Sequence, residues 1–229
     1  MTSLKPPAAE AQGRIVVVDD SWTILEQIRA CLAERGYDVR TTTSPDVAVR
    51  LLRGADLTII DFHMPGLNGT DYMLYAQYDD TGQPQYPLQW DHDAIAWLQE
   101  NVQGTPVIAE AAAGVMNVPL YHWASRISIN TGLPTILGWD WHQRQQRSIL
   151  PGWEIDQRLQ DVASLYGAPD QALAQSILDR YNVKYVVVGN VERAHYTPEG
   201  IAKFDAMVAS GQLKIAYQNE GTTIYEVVR

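Results

Sequence analysis

The stretch that decides the fold is RIVVVDDS at residues 14–21, read together with LTIIDFHMPGLNG at residues 57–69. Each opens with a β-branched run too short for a helix and then reaches acid: Asp19 and Asp20 in the first, Asp61 in the second. Ser21 is placed to cap a helix whose Ile24, Ile28 and Leu32 share one face, and Gly36 stops it. Val39 to Thr43 reads as a second strand, and Ser44 with Pro45 starts a second helix that runs to about Arg53. Strands alternating with helices predict right-handed crossovers and a parallel sheet whose carboxyl ends share one edge. Ligands bind along that edge where the strand order reverses, so Asp19, Asp20 and Asp61 are expected to converge there.

Three converging carboxylates repel one another unless a cation sits between them, and Mg²⁺, which prefers an octahedral shell of oxygens, is the natural guest. A carboxylate in such a shell can act as a nucleophile toward a phosphoryl group, and Asp61 is the best placed to do so. The bland alternative is that strand-end aspartates merely cap the helices that follow them.

Composition narrows the function classes. With 17 basic against 27 acidic residues the formal charge is -10, which disfavours phosphate backbones, so nucleic acid is not an expected partner. No apolar run approaches the roughly 18 to 20 residues of a membrane span, and no signal-peptide core is seen at the start. Cys31, the single cysteine, reads as a small buried residue in a reducing, cytoplasmic setting. The five histidines show no zinc-type spacing. Oligomeric state is not legible.

The remaining chain reads as further α/β structure. Residues 1–13 have nothing periodic to bury and read as a flexible tail, and residues 70–90 read as a polar, Tyr-rich loop. A helix from Asp91 carries Ile95, Leu98 and Val102, Gly104 ends it, and Pro106 to Ala109 supplies a fourth strand. Thr135 to Leu137 is a candidate fifth strand, and Pro169 to Tyr181 a helix. Lys184 to Val188 is a strong buried-strand signal, and Thr197 with Pro198 starts a last helix that Gly211 closes. Leu213 to Gln218 and Thr222 to Val228 pair as a hairpin around Asn219, Glu220 and Gly221, with the glycine in a left-handed turn position. The expected class is flavodoxin-like doubly wound α/β, mainly parallel, with a C-terminal α/β extension ending in an antiparallel hairpin. The expected organisation is an α/β domain over residues 14–150 and an extension over 151–229 packed on the same sheet.

IVVVDDS at 15–21 and DFHMPGLNG at 61–69 resemble the two acidic signatures of bacterial two-component receiver domains. The resemblance implies that Asp61 accepts a phosphoryl group from a histidine kinase or phosphotransfer protein. It also implies that Asp19, Asp20 and Asp61, with the backbone carbonyl of His63, hold Mg²⁺, and that Met64, Pro65 and Gly69 form the turn after the acceptor. Two departures stand out. TPVIAEAA at 105–112 resembles the fourth receiver strand, but the family's hydroxyl position falls on Ala111, and LPTILGWDWH at 133–142 offers no lysine where the family has one. Metal binding is therefore expected to outlast switching.

From about Leu67 onward the chain is similar to the C-terminal extramembrane region of polytopic, glycosyltransferase-like membrane proteins of the YYY family. The segments that carry this are GLNGTDYM, DAIAWLQENVQGTPVIAEA, RISINTGLPTILGWDWHQRQQR, YNVKYVVVGNVERAHY and GTTIYEV. The two resemblances meet at Pro65 to Gly69, as a fusion or chimera would. Within the second, Trp139, His142, Arg144 and Arg147 are candidate ligand residues, because indole faces stack on sugars and guanidinium groups bind phosphate; core packing of the tryptophans is the competing reading. The leading expectation is a non-enzymatic, Mg²⁺-binding signalling module, and the alternative is a sugar or sugar-phosphate binding domain.

Overall fold

The computed structural model describes residues 12–61, 73, 77–78, 86–116, 123–146 and 152–229. The chain divides into two compact units, Met1–Tyr75 and Ala76–Arg229. The sequence reading instead put the division near residue 150. Most of the expected tail, and residues 62–72, lie outside the described residues.

The first unit is built on β1 (Arg14–Val18), α1 (Trp22–Ala33), β2 (Asp38–Thr42), α2 (Pro45–Leu52) and β3 (Leu57–Ile60), with the parallel sheet order β2-β1-β3. The central strand RIVVV is apolar on both faces because both faces are covered. Ile15 and Val17 pack with Leu25, Ile28 and Leu32, and Val16 and Val18 pack with Ala48, Leu51 and Ile60. The two crossover helices therefore lie on opposite faces of β1, the doubly wound arrangement. Burying each of these strand side chains is worth roughly 1.5–3 kcal/mol, so the stability of this unit is concentrated in β1. On β3, by contrast, Leu57 is 52% and Ile59 36% exposed.

Three local expectations are corrected here. The buried stripe of α1 is Leu25, Ile28 and Leu32; Ile24 and Cys31, seven residues apart and so on one face, are both exposed. Arg35 covers the outside of Cys31, its Nη1 donating to the Cys31 carbonyl at 2.6 Å. Ser21 sits at the N-cap of α1 but makes no side-chain cap bond; Asp19 Oδ1 accepts from the Ser21 N–H at 2.8 Å instead.

The second unit begins with the short antiparallel pair β4 (Gln77–Tyr78) and β5 (Tyr86–Pro87), followed by α3 (Gln89–Asn101) and β6 (Val107–Ala109). Next come α4 (Ala113–Met116), a 3-10 turn at Trp123–Ser125, α5 (Arg126–Thr131), α6 (Asp140–Gln146), α7 (Trp153–Gly167) and α8 (Gln171–Arg180). The chain ends with β7 (Val183–Val188), α9 (Asn190–His195), α10 (Pro198–Ala209), β8 (Leu213–Gln218) and β9 (Thr223–Val227). Its sheet has the order β6-β7-β9-β8, parallel between β6 and β7 and antiparallel thereafter. The strand expected to be fourth in the first sheet thus pairs with β7. The candidate strand at 135–137 reduces to a single bridge between Thr135 and Ile108.

Helix ends follow ordinary chemistry. Asp170 caps α8 by accepting from Ala172 and Leu173 N–H, and Gly104 and Gly211 take left-handed backbone where their helices stop. Gly221 does not take a left-handed conformation. Its role is close approach: a Cβ there would lie 2.1 Å from Trp90 Cδ1, and the neighbouring Asn219 ties the hairpin tip to the Trp90 carbonyl at 2.9 Å. No helix among the described residues is long and apolar enough to cross a membrane.

Candidate functional site

Register places the acidic residues. Val18 pairs with Thr42 on one side and Ile60 on the other, so the residues that follow β1 and β3, Asp19 and Asp61, leave the sheet side by side. The Asp61 N–H donates to the Val18 carbonyl at 2.8 Å, and the Asp19 N–H to the Thr42 carbonyl at 3.3 Å, extending the ladder to the base of the pocket. In a sheet of order 2-1-3 this is the switch point, where α1 and α2 depart to opposite faces and leave a crevice. Asp19, Asp20 and Asp61 each bring a carboxylate oxygen within 4.8 Å of the others; Asp20 is exposed, Asp19 and Asp61 half-buried.

This donor set fits a hard divalent cation. The ligands are all oxygen, their spacing suits one shell, and partial exposure leaves room for the waters that Mg²⁺ retains. His63, whose carbonyl the resemblance adds to the shell, lies outside the described residues. Trp22, 62% exposed, opens α1 directly after the DDS segment.

Residues 15–82 match the response regulator receiver domain family. Three curated relatives share this part: the alginate biosynthesis transcriptional regulatory proteins AlgB of Pseudomonas aeruginosa, Pseudomonas syringae and Pseudomonas putida, each 40% identical over 67 or 68 residues. The match covers 28% or 29% of this chain, and the chain spans about 15% of the length of these relatives. Among solved structures, the C-terminal globular domain of an oligosaccharyltransferase from Archaeoglobus fulgidus is 14% identical, covering 59% of this chain and 95% of that one at a TM-score of 0.37. A receiver domain protein from Clostridium thermocellum is 16% identical, covering 66% of this chain and 93% of that one at a TM-score of 0.27. Both TM-scores fall below what defines a shared fold. The first unit carries the parallel sheet and acidic cluster within the segment that matches the receiver family, and the second is an α/β region with a mixed sheet.

The departures noted in the sequence have a structural setting. Ala111 belongs to the second unit, just beyond β6, and its N–H donates to Glu192 Oε1 at 3.0 Å. That bond is part of a buried polar network that sequence reasoning missed. Arg126, fully buried, meets Glu192 through Nη1 and Nη2 at 3.1 and 2.8 Å and Asp91 Oδ1 through Nη2 at 3.0 Å. Its Nε also lies 2.9 Å from Asp91 Oδ2, an ion pair whose angle does not make a hydrogen bond. Burial opposes ionisation of Glu192, but Arg126 and the amides of Gly189 and Ala111 outweigh it and hold the carboxyl below its ordinary value. Glu110 is the odd member: burial pushes it up to about 7, although the Ser128 side chain, Arg126 and the Ile127 amide pull the other way. The available signal was charge inside apolar runs, Glu110 within VIAEAAAGV and Arg126 within WASRISI.

The second set of candidate residues is only partly brought together. Trp139 and His142 stand edge to face, 6.3 Å between ring centres, and both line one open cleft. Arg144 turns away to Asp156 at 2.5 Å on the surface, and Arg147 lies outside the described residues. Trp141, 46% exposed, is on α6.

Proposed function

We propose that the first unit is a receiver-type signalling module that binds Mg²⁺ through Asp19, Asp20 and Asp61 and accepts a phosphoryl group on Asp61. The supporting observation is the convergence of those three carboxylates at the β1/β3 switch point within a segment that matches the receiver family. When bound, Mg²⁺ supplies positive charge against the phosphoryl oxygens. An Asp61 carboxylate oxygen attacks phosphorus as the bond to the donor breaks, giving an acyl phosphate on Asp61 and releasing the donor's leaving group. Asp19 and Asp20 would hold the cation, whose charge would offset that of this acidic edge toward an incoming anion. The donor class is a histidine kinase or a phosphotransfer protein, which implies a cytoplasmic setting.

The response to phosphorylation is incomplete in this reading. The hydroxyl and lysine that the receiver resemblance leads one to expect are replaced by Ala111 and by nothing in LPTILGWDWH. Labelling is then slow and largely silent, and the role is non-enzymatic.

The test is thermal unfolding of the full chain across a Mg²⁺ series. A ligand bound only by the folded state stabilises it by about 1.4 kcal/mol at ten times its Kd. Asp61→Ala should abolish most of that gain. A wild-type melting temperature unchanged at millimolar Mg²⁺ removes the proposal's support.

A further inference from the structure

The cleft beside Trp139 is of another kind from the acidic pocket. It lies within the second unit, encloses about 350 Å³, and runs from the 3-10 turn and α5 past residues 134–139 to α6 and α7. In a chain of net charge -10, its lining contains no carboxylate among the described residues. It carries one guanidinium (Arg158), one imidazole (His142), one indole (Trp139) and the hydroxyl residues Ser125, Ser128 and Thr135.

Two features make this a built site. Arg158 is held from behind: Nη1 donates to the Ile136 carbonyl at 2.7 Å, and the guanidinium carbon sits 5.0 Å over the Tyr181 ring. That anchoring fixes the cation at low entropic cost and commits one of its five N–H donors, leaving others for a ligand. Ser125, 1% exposed, contributes a buried Oγ without a hydrogen-bond partner among the described residues. A buried hydroxyl left unpaired costs on the order of 1–3 kcal/mol, so the site retains a polar group that packing alone disfavours. Ser128 Oγ, by comparison, is already used, donating to the Ser125 carbonyl at 3.2 Å.

We infer that this cleft binds a monosaccharide phosphate, with Arg158 taking the phosphate, the Trp139 ring the sugar face and Ser125 a sugar hydroxyl, while His142, whose Nε2 already meets Gln146 Nε2 at 2.7 Å, borders the site. The volume is at the lower end of small-molecule sites and accommodates one phosphorylated ring. A guanidinium suits a phosphate oxyanion, and an indole face suits the apolar side of a pyranose. The inference retains Trp139 from the sequence reading, keeps His142 at the border and replaces Arg144, which is engaged by Asp156, with Arg158.

The experiment is calorimetric titration of the full chain, in EDTA so that the acidic pocket does not contribute, with glucose 1-phosphate, glucose, inorganic phosphate and adenosine monophosphate. Glucose 1-phosphate should bind at least tenfold more tightly than glucose or phosphate alone. Ser125→Ala should keep or raise the melting temperature, because it removes an unpaired buried hydroxyl, while weakening the sugar phosphate about five- to tenfold. Arg158→Lys should retain measurable binding and Arg158→Gln should lose it. Absence of binding, glucose binding as tightly as its phosphate, a nucleotide binding more tightly than the sugar phosphate, or unchanged affinity in Ser125→Ala would each overturn the assignment.

Discussion

Glu110 is where pH should act most strongly on the second unit. Its carboxyl accepts from Ile127 N–H at 2.9 Å and from Ser128 N–H at 3.2 Å in full burial, and that burial raises it from 4.5 to about 7. At about 1.4 kcal/mol per pH unit, a rise of that size corresponds to on the order of 3 kcal/mol. Between pH 4.5 and about 7 the folded state keeps a proton that the unfolded chain has released, so raising pH drives unfolding. The contribution is fully present below 4.5 and is lost as pH climbs through about 7. Glu110→Gln cannot ionise, yet it keeps one oxygen for both amides, which Glu110 Oε2 already reaches at 2.9 and 3.3 Å. Urea unfolding of wild type and variant at about pH 5 and about pH 8 isolates the effect, because Glu192 and the other shared carboxyls cancel in the difference. Six of the seven tryptophans lie beyond residue 75, so tryptophan emission reads the second unit. Wild type should lose about 2.5 kcal/mol relative to the variant between those two pH values. A difference that does not change with pH would refute the reasoning.

Arg126→Met should cost about 3–5 kcal/mol in urea unfolding, because Asp91 and Glu192 are left buried and unpaired, and adding Asp91→Asn and Glu192→Gln should recover much of the loss. Gly221→Ala should destabilise by about 1–3 kcal/mol, since the new Cβ meets the Trp90 ring; a neutral melting temperature would show that the hairpin tip yields. In the first unit, Val17→Ala should cost about 2 kcal/mol, while Leu57→Thr should fall within about 0.5, as read by hydrogen exchange of the β1 amides.

The first unit was largely legible because its signals are local. A β-branched run ending in acid, a capping position and a helix-stopping glycine each act within a few residues, and parallel register then brings Asp19 and Asp61 together. The facing of α1 was misread by one residue, since Ile24 and Leu25 are equally apolar and only packing against Ile15 and Val17 selects the second. The allotment of β6 to the second sheet was not legible: VIA would suit any buried strand, and its partner β7 lies more than seventy residues later. The Arg126 network was hidden for the same reason, its members being scattered from Asp91 to Glu192 and joined only by tertiary folding. In the cleft, Trp139 and His142 were visible as a dense cluster, whereas Arg158, on a different helix, was not.

The central claim is that Asp61 sits in a working Mg²⁺-dependent acceptor pocket. It is tested most directly by incubating the full chain with acetyl phosphate, with and without Mg²⁺, and locating any phosphoryl adduct by peptide mass spectrometry. The account predicts slow, substoichiometric labelling that requires Mg²⁺, maps to Asp61, disappears in Asp61→Asn and leaves Trp22 emission nearly unchanged. Labelling that is independent of Mg²⁺, or that persists in Asp61→Asn, would contradict it.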